Sequence, residues 1–152
     1  MIVSLSPIGT VSNKRRTLAD DRWGGMISTI ELNDSFDVDA LEGIEEFSHA
    51  EIIFFFHRVE ESEIETGARH PRENLSWPRV GIFAQRGKSR PNRLGLTTVR
   101  IISRSDKSLL VEGLDAVDGT PVLDIKPVMK EFLPRGEIHQ PAWAEELMKD
   151  YW

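Results

Sequence analysis

Apolar residues along the chain recur at every second position or in short unbroken runs, with turn-forming residues between them. In MISTIEL, Met26, Ser28, Ile30 and Leu32 alternate with polar neighbours, which predicts a half-buried strand. Val3–Val11 alternates more loosely and reads as another strand. AEIIFFFHRV, from Ala50 to Val59, is a continuous β-branched and aromatic run and predicts a strand buried on both faces. Shorter strands are predicted over Arg79–Ala84, Leu94–Ser103 and Ser108–Leu114. In the second of these the apolar pattern is set by Leu94, Leu96, Thr98 and Ile101. Asp118-Gly119, inside DAVDGTPVLDI, predicts a tight hairpin. Helical signals are few. DVDALEGIEEF offers Asp37 or Asp39 as a cap for one or two turns. QPAWAEELMKDYW starts a helix at Pro141 and puts Trp143, Leu147 and Tyr151 on one face. Seven or eight strands with two short helices predict a mainly β fold: a single-domain antiparallel β-barrel, or a strongly bent sheet, with short peripheral helices over residues 1–152.

Two polar stretches interrupt this pattern. Asn13–Gly25 reads as a long loop ending in Gly-Gly, and Glu60–Pro78 as a charged excursion broken by Pro71 and Pro78. The chain has no cysteine, which excludes a disulfide framework, a thiolate metal site and a cysteine nucleophile, and suits a reducing cytoplasm. The opening MIVSLSPIGTV lacks the basic and apolar regions of a signal peptide. The longest uncharged apolar run, Ile52–Phe56, is far shorter than the ~20 residues that span a bilayer. The expectation is a soluble, cytoplasmic protein with no membrane partner. His49, His57, His70 and His139 show no metal-ligand spacing, so no metal is expected.

Net charge is −6, which counts against a general polyanion binder, yet the charges are segregated. From Arg69 to Arg104 the cations are Arg69, Arg72, Arg79, Arg86, Lys88, Arg90, Arg93, Arg100 and Arg104, and the lone anion is Glu73. Three constellations stand out. His57-Arg58 ends the most apolar strand, as a polar cap or as a rim facing a ligand. Arg86 precedes a corner, KSRPNRLGL, in which Pro91 fixes φ, Asn92 tolerates a left-handed conformation and Gly95 permits close approach. Its arginines are either solvated or forked onto carboxylates, phosphates or bases. LDAVDGTPVLDIKP carries Asp118 in a turn, then Asp124 and Lys126 alternating with Leu123, Ile125 and Pro127. Asp124 and Lys126 would share one face of the strand, as a buried pair.

In order and approximate spacing, GIEEFSHAEIIFFFHR, GIFAQRGKSRPNRLGLTTVRI and LDAVDGTPVLDIKP resemble the TsaA-like family. Its TrmO- and YaeB-like members are tRNA (N6-threonylcarbamoyladenosine37-N6)-methyltransferases. The likeness runs from Pro7 to about Pro134. It implies a β-barrel, S-adenosylmethionine (SAM) as cofactor, a homodimer with cofactor sites near the subunit interface, and tRNA as substrate. Arg86, Arg90, Asn92 and Leu96 match the family's corner, and His57 its strand-end histidine, with Arg58 standing where glutamine is frequent. Asp118 and the run Asp124, Ile125, Lys126, Pro127 match the DGTP and DIKP elements. Asp21, Arg22 and Trp23 sit where the family's N-terminal loop reaches the cofactor. The chain departs from the pattern at Arg93, commonly proline, and at Val128, usually tyrosine, and no second C-terminal domain follows.

Methyl transfer from a sulfonium needs alignment and a dry pocket rather than a metal. Asp118 or Asp124 could take the proton from the adenine N6, or hold the cofactor's ammonium or ribose hydroxyls. Arg86 and Arg90 could hold the methionine carboxylate or a phosphate. Two alternatives stay open: the same barrel methylating another RNA or a small molecule, and a non-catalytic SAM- or RNA-binding module.

Overall fold

In the computed structural model, which describes residues 1–152, eight strands form in chain order. They are β1 (Gly9–Ser12), β2 (Ile27–Leu32), β3 (His49–Phe55), β4 (Ala68–Arg69), β5 (Val80–Gly81), β6 (Leu94–Ser105), β7 (Ser108–Glu112) and β8 (Pro121–Pro127). Six of them close a barrel in the order β1-β2-β7-β6-β3-β8, every pair antiparallel. β4 and β5 form a separate two-stranded ladder. The predicted barrel is present. The one α-helix, α1 (Ala142–Met148), begins after Pro141 as expected, and Trp143, Leu147 and Tyr151 are each half-buried. The turns expected after Asp37 are two 3-10 turns, Val38–Leu41 and Ile44–Glu46, the first of which sends Leu41 into the core.

The period-two rule holds for the barrel wall. Ser28, Ile30 and Leu32 of β2 point inward, as do Ala50, Ile52 and Phe54 of β3 and Leu109 and Val111 of β7. With Val11, Val99 and Val122 they fill the interior. β3 is therefore buried on one face, not two: Glu51, Ile53 and Phe55 look outward and are only half-buried. A six-stranded barrel has one interior, and a run such as IIFFF supplies both that interior and an apolar outer wall.

β6 inverts its predicted pattern. Its inward residues are Gly95, Thr97 and Val99, while Leu94 and Leu96 face out, 38% and 46% exposed. Phe54 is the cause. A Cβ on Gly95 would sit 2.4 Å from the Phe54 ring, so the ring occupies the space an inward side chain would need. The close approach that Gly95 permits is thus to a neighbouring strand of the same chain. Other boundaries shift too. The first strand covers Gly9–Ser12 rather than Val3–Val11. Arg79–Ala84 shortens to two strand residues followed by a 3-10 turn. Asp118-Gly119 makes a turn closed by Thr120 N donating to Val117 O, with Gly119 at φ 83°, but no hairpin. β7 pairs with β2 and β6, and β8 with β1 and β3.

The Glu60–Pro78 excursion is ordered and folds back onto the segment before β6. Glu65 N donates to Ser89 O at 3.1 Å and Ile82 N to Gly67 O at 2.8 Å. The C-terminal segment closes over the same side. Trp77 Nε1 donates to Glu146 at 2.7 Å, and Arg22 N and Trp23 N donate to the carbonyls of Asp150 and Tyr151 at 3.0 and 2.7 Å.

Gly95→Ala should destabilise the barrel by about 1–3 kcal/mol, because the added methyl overpacks a filled interior. The denaturant midpoint reads this, and combining it with Phe54→Leu should recover part of the loss. A midpoint equal to the parent's would show that the Phe54 ring does not occupy the space facing Gly95.

Candidate functional site

Antiparallel closure collects particular chain ends at one rim. β1, β3 and β7 finish there, and β2, β6 and β8 begin there. The long loop after β1, the turn His57-Arg58 after β3, the corner before β6 and Asp118 before β8 therefore meet.

Backbone and side-chain hydrogen bonds knit this rim together. Asn13 N donates to Asp118 Oδ1 at 3.0 Å, Arg16 Nη1 to Asp118 Oδ2 at 2.5 Å, and Arg58 Nη1 to Arg16 O at 2.6 Å. Arg15 gathers its own loop by donating to the carbonyls of Ala19, Asp21 and Arg22. Its guanidinium also stacks 3.5 Å above the Trp23 ring. Trp23 is buried and its Nε1 donates to Asp20 O, so the ring braces the loop from beneath. Asp21 pairs with both Nη atoms of Arg72 from the excursion. Arg22, at φ 64°, turns the chain toward the C-terminal tail.

Two titrating groups at this rim are displaced. The Asn13 N–H, then Arg16, hold the Asp118 carboxyl below its usual range, so it is a firm anion and a weak base. Desolvation, then the Arg58 charge, pushes the His57 imidazole down. His57 is neutral at pH 7 and free to accept a hydrogen bond.

The corner itself is rigid. Arg90 Nη1 donates to Gln85 O at 2.8 Å and Arg86 Nη2 to Leu96 O at 2.5 Å. Asn92 adopts the predicted left-handed conformation at φ 62°, and Arg93 follows it at φ 51°. Arg93 does not reach outward toward a ligand. It donates to Val59 O at 2.7 Å and lies 4.8 Å over the Phe55 ring, clamping the corner to the end of β3. The departure from proline at this position has a backbone cause, because proline cannot reach a positive φ.

β8 places the remaining candidates differently. Asp124 faces outward opposite Ile53, which lies opposite Leu96, so Leu96, Ile53 and Asp124 form one row across the outer wall. Thr98, Glu51 and Lys126 form the next row. Leu123 is the extra residue where the register shifts between Ile53 and Phe54. Asp124 and Lys126 share a face as expected, 2.8 Å apart, but they are solvent-accessible rather than buried. Ile125 turns the other way and packs against the core. Asp124, Ile125 and Pro127 also line a cleft of about 590 Å³ with Phe36, Leu41 and Ile44, at the end of the barrel opposite the rim. Asp118 lies in the turn before β8 and Asp124 is the fourth residue of β8, so that turn and about 10 Å of strand separate them. Within one chain they do not converge on one reacting atom.

Sequence reasoning missed one cluster. Tyr151 and Thr97 both donate to Asp115, from opposite sides of its carboxylate. Burial, then the charge of Asp115, pushes the Tyr151 phenol well above its usual value, and Arg86 and Arg72 lie near enough to oppose the shift. β7 pairs with β6 only from Arg100 onward, so Thr97 lies along a stretch of β6 that has no partner strand on that side. That Tyr151 is the chain's single tyrosine was the only available signal. Partners 36 residues apart carry no spacing pattern.

Arg93→Pro should cost about 3 kcal/mol or more in urea unfolding, since it demands φ near −65° where the corner holds +51°. A variant as stable as the parent would show a corner backbone of different hand. A second expectation concerns pH. A histidine lowered in the folded state stabilises fully above about pH 6.5 and loses that contribution as pH falls through its lowered value. His57→Gln should flatten the stability profile below about pH 6.5, and an unchanged slope there would mean that the imidazole is not desolvated.

The sequence profile of the tRNA-methyltransferase O N-terminal domain matches residues 21–132. Among curated relatives, RcsF of Pseudomonas aeruginosa, a protein named for SAM-dependent methyl transfer, is 45% identical over 139 residues, covering 84% of this chain and 57% of its own. The tRNA (adenine(37)-N6)-methyltransferase of Escherichia coli is 42% identical over 95 residues, covering 60% of this chain and 40% of its own. The crystal structure of TrmO from P. aeruginosa superposes with a TM-score of 0.76 at 30% identity, over 94% of this chain and 62% of its own. The chain thus spans less than two thirds of each of these relatives. With the matched segment holding the end of the N-terminal loop, the corner and the DGTP and DIKP motifs, the chain belongs to the tRNA-methyltransferase O N-terminal domain family.

Proposed function

We propose that this chain, acting as one unit over residues 1–152, binds SAM and transfers its methyl group to N6 of threonylcarbamoyladenosine at position 37 of tRNA. It works as a homodimer in the cytoplasm. The observation that carries this reading is the corner. Arg86, Arg90 and Asn92, inside the segment shared with the family, are fixed in place, and neither arginine has a carboxylate partner. No helix is long and apolar enough to cross a membrane.

The donor set suits SAM. Arg86 and Arg90 are open to a methionine carboxylate, Asp124 to an ammonium or ribose hydroxyl, and the exposed Leu94 and Leu96 to an adenine face. When bound, the cofactor supplies an electrophilic methyl on a sulfonium. The protein's share is alignment and exclusion of water. Asp118 is too firmly anionic to be the base, and its hydrogen bonds lock the N-terminal loop against the rim. Asp124, solvent-accessible on the outer wall and paired with Lys126, is the remaining candidate proton acceptor for N6, a role that excludes its holding the cofactor's ammonium. The distance between these carboxylates supports a dimer, because a partner's rim can meet the outer wall of β6-β3-β8. The outward Ile53, Phe55, Leu94 and Leu96 give that wall an apolar face to cover.

Calorimetry tests the reading. SAM should bind the parent, and Arg86→Ala and Asp124→Ala should each weaken it by about tenfold or more, as loss of a charge-assisted hydrogen bond does. No heat at millimolar SAM sinks the cofactor assignment. SAM binding without transfer of labelled methyl to bulk tRNA leaves a binding module instead of an enzyme.

A further inference from the structure

The Glu60–Pro78 excursion brings one cation to the corner that neither the motifs nor the proposed cofactor contacts use. Arg69 lies in β4, opposite Val80 of β5. Its backbone is fixed: Gln85 Nε2 donates to Arg69 O at 3.2 Å and to Val80 O at 2.9 Å, and Gln85 O in turn accepts from Arg90. Its guanidinium lies against the corner loop, where a Cβ on Gly87 would come within 3.0 Å of Arg69 Nη2. Arg69 Nε is enclosed and has no hydrogen-bond partner, alone among the buried side-chain nitrogens and oxygens of the molecule.

That is an expensive arrangement. An enclosed guanidinium N–H without an acceptor has lost water and gained nothing in exchange. Other arginines avoid the cost. Arg16, Arg72, Arg100 and Arg104 each pair with a carboxylate. Arg69, Arg86, Lys88 and Arg90, all around Gln85–Arg90, pair with none. Four cations without an ion-pair partner at one rigid loop, one of them with an unanswered donor, describe a site completed by an anion.

We propose that Arg69 is a ligand-binding residue, donating to an oxyanion seated between the β4–β5 ladder and the Gln85–Arg90 loop. The oxyanion is a phosphate of RNA or the carboxylate of SAM, two sources of one chemistry. The inference deepens the reading above by assigning the excursion a role in the same site, yet it concerns an anion and not methyl transfer, so either can fail alone.

The direct probe is the Arg69 Nε–Hε resonance in a ¹H–¹⁵N spectrum of the full chain, assigned by its loss in Arg69→Gln. Inorganic phosphate, SAM and a tRNA anticodon stem-loop are titrated separately. A shift with phosphate and stem-loop identifies an RNA phosphate, and a shift with SAM alone identifies the carboxylate; each supports the proposal. No shift with any of the three overturns it, even if the parent methylates tRNA. Arg69→Gln should also weaken stem-loop or SAM binding about three- to tenfold. If the ligand is RNA, the slope of log affinity against log salt should fall by about one. Arg69→Met separates this from a structural role. It removes an uncompensated charge and should unfold at the same or higher denaturant while losing affinity. A less stable Arg69→Met protein with unchanged affinity for SAM and RNA would make the residue a structural strut and overturn the proposal.

Discussion

Closure of the barrel through β8 is the constraint on which the other features depend. β8 pairs with β1 on one side and β3 on the other, so the last strand of the barrel joins the first strand to the most apolar one. Closure removes sheet edges and leaves a single interior. That interior is narrow. Phe54 fills it at the level of Gly95, which has no side chain to contribute and could not take one. Accommodating β8 requires one extra residue, Leu123, and this shift sends Asp124 and Lys126 outward while Ile125 stays with the core. The register of one seam therefore decides which residues of the LDIKP run face outward.

The distribution of arginine partners separates scaffold from site. Arg15, Arg16, Arg58 and Arg93 are spent on carbonyls, the Trp23 and Phe55 rings and Asp118, and they hold the N-terminal loop and the β3 turn to the rim. The one ion pair among them, Arg16–Asp118, is exposed on the arginine side and contributes little to stability. Their value is positional, because they fix the loops from which the corner is seen. The corner's own cations are left without carboxylates. A cluster of like charges raises the free energy of the folded chain, and it is retained where a ligand of opposite sign offsets it.

Much of the fold was legible because alternation reports a wall with one wet and one dry face, and β2 shows it cleanly through Ser28, Ile30 and Leu32. Legibility failed where both faces are apolar. In β6 the eye selects Leu94 and Leu96, but the inward face is the small-residue set Gly95 and Thr97, chosen by Phe54 across the strand pair. Hydrophobicity marks what is apolar, not which apolar face is enclosed. The candidate site was proposed from motifs, and the corner's left-handed Asn92 was readable from residue type. Arg93 as a clamp, Asp115 held by Thr97 and Tyr151, and the orphaned Arg69 were not readable. Each depends on contacts between segments 10 to 40 residues apart, and no local pattern encodes those.

The charge balance then makes sense of an acidic chain with a cationic corner. The net charge is −6, but Asp34, Asp37, Asp39, Glu42, Glu45 and Glu46 cluster around the barrel end that also holds Pro127 and the β6–β7 turn. The corner lies at the other end, before β6. The carboxylates Glu60 to Glu65 share that end, and two of them, Glu60 and Glu63, are occupied in capping a 3-10 turn. Opposite signs at opposite ends of a barrel longer than the ~8 Å Debye length act on a polyanion almost independently. The acidic end repels it while the corner attracts it, so approach is selected by orientation, corner first. A uniformly basic surface would bind RNA more tightly and in any pose. On the function proposed above, an acidic chain with a localised cationic corner gives up non-specific affinity, and a polyanionic substrate would meet it at the rim carrying His57, Arg86 and Arg90.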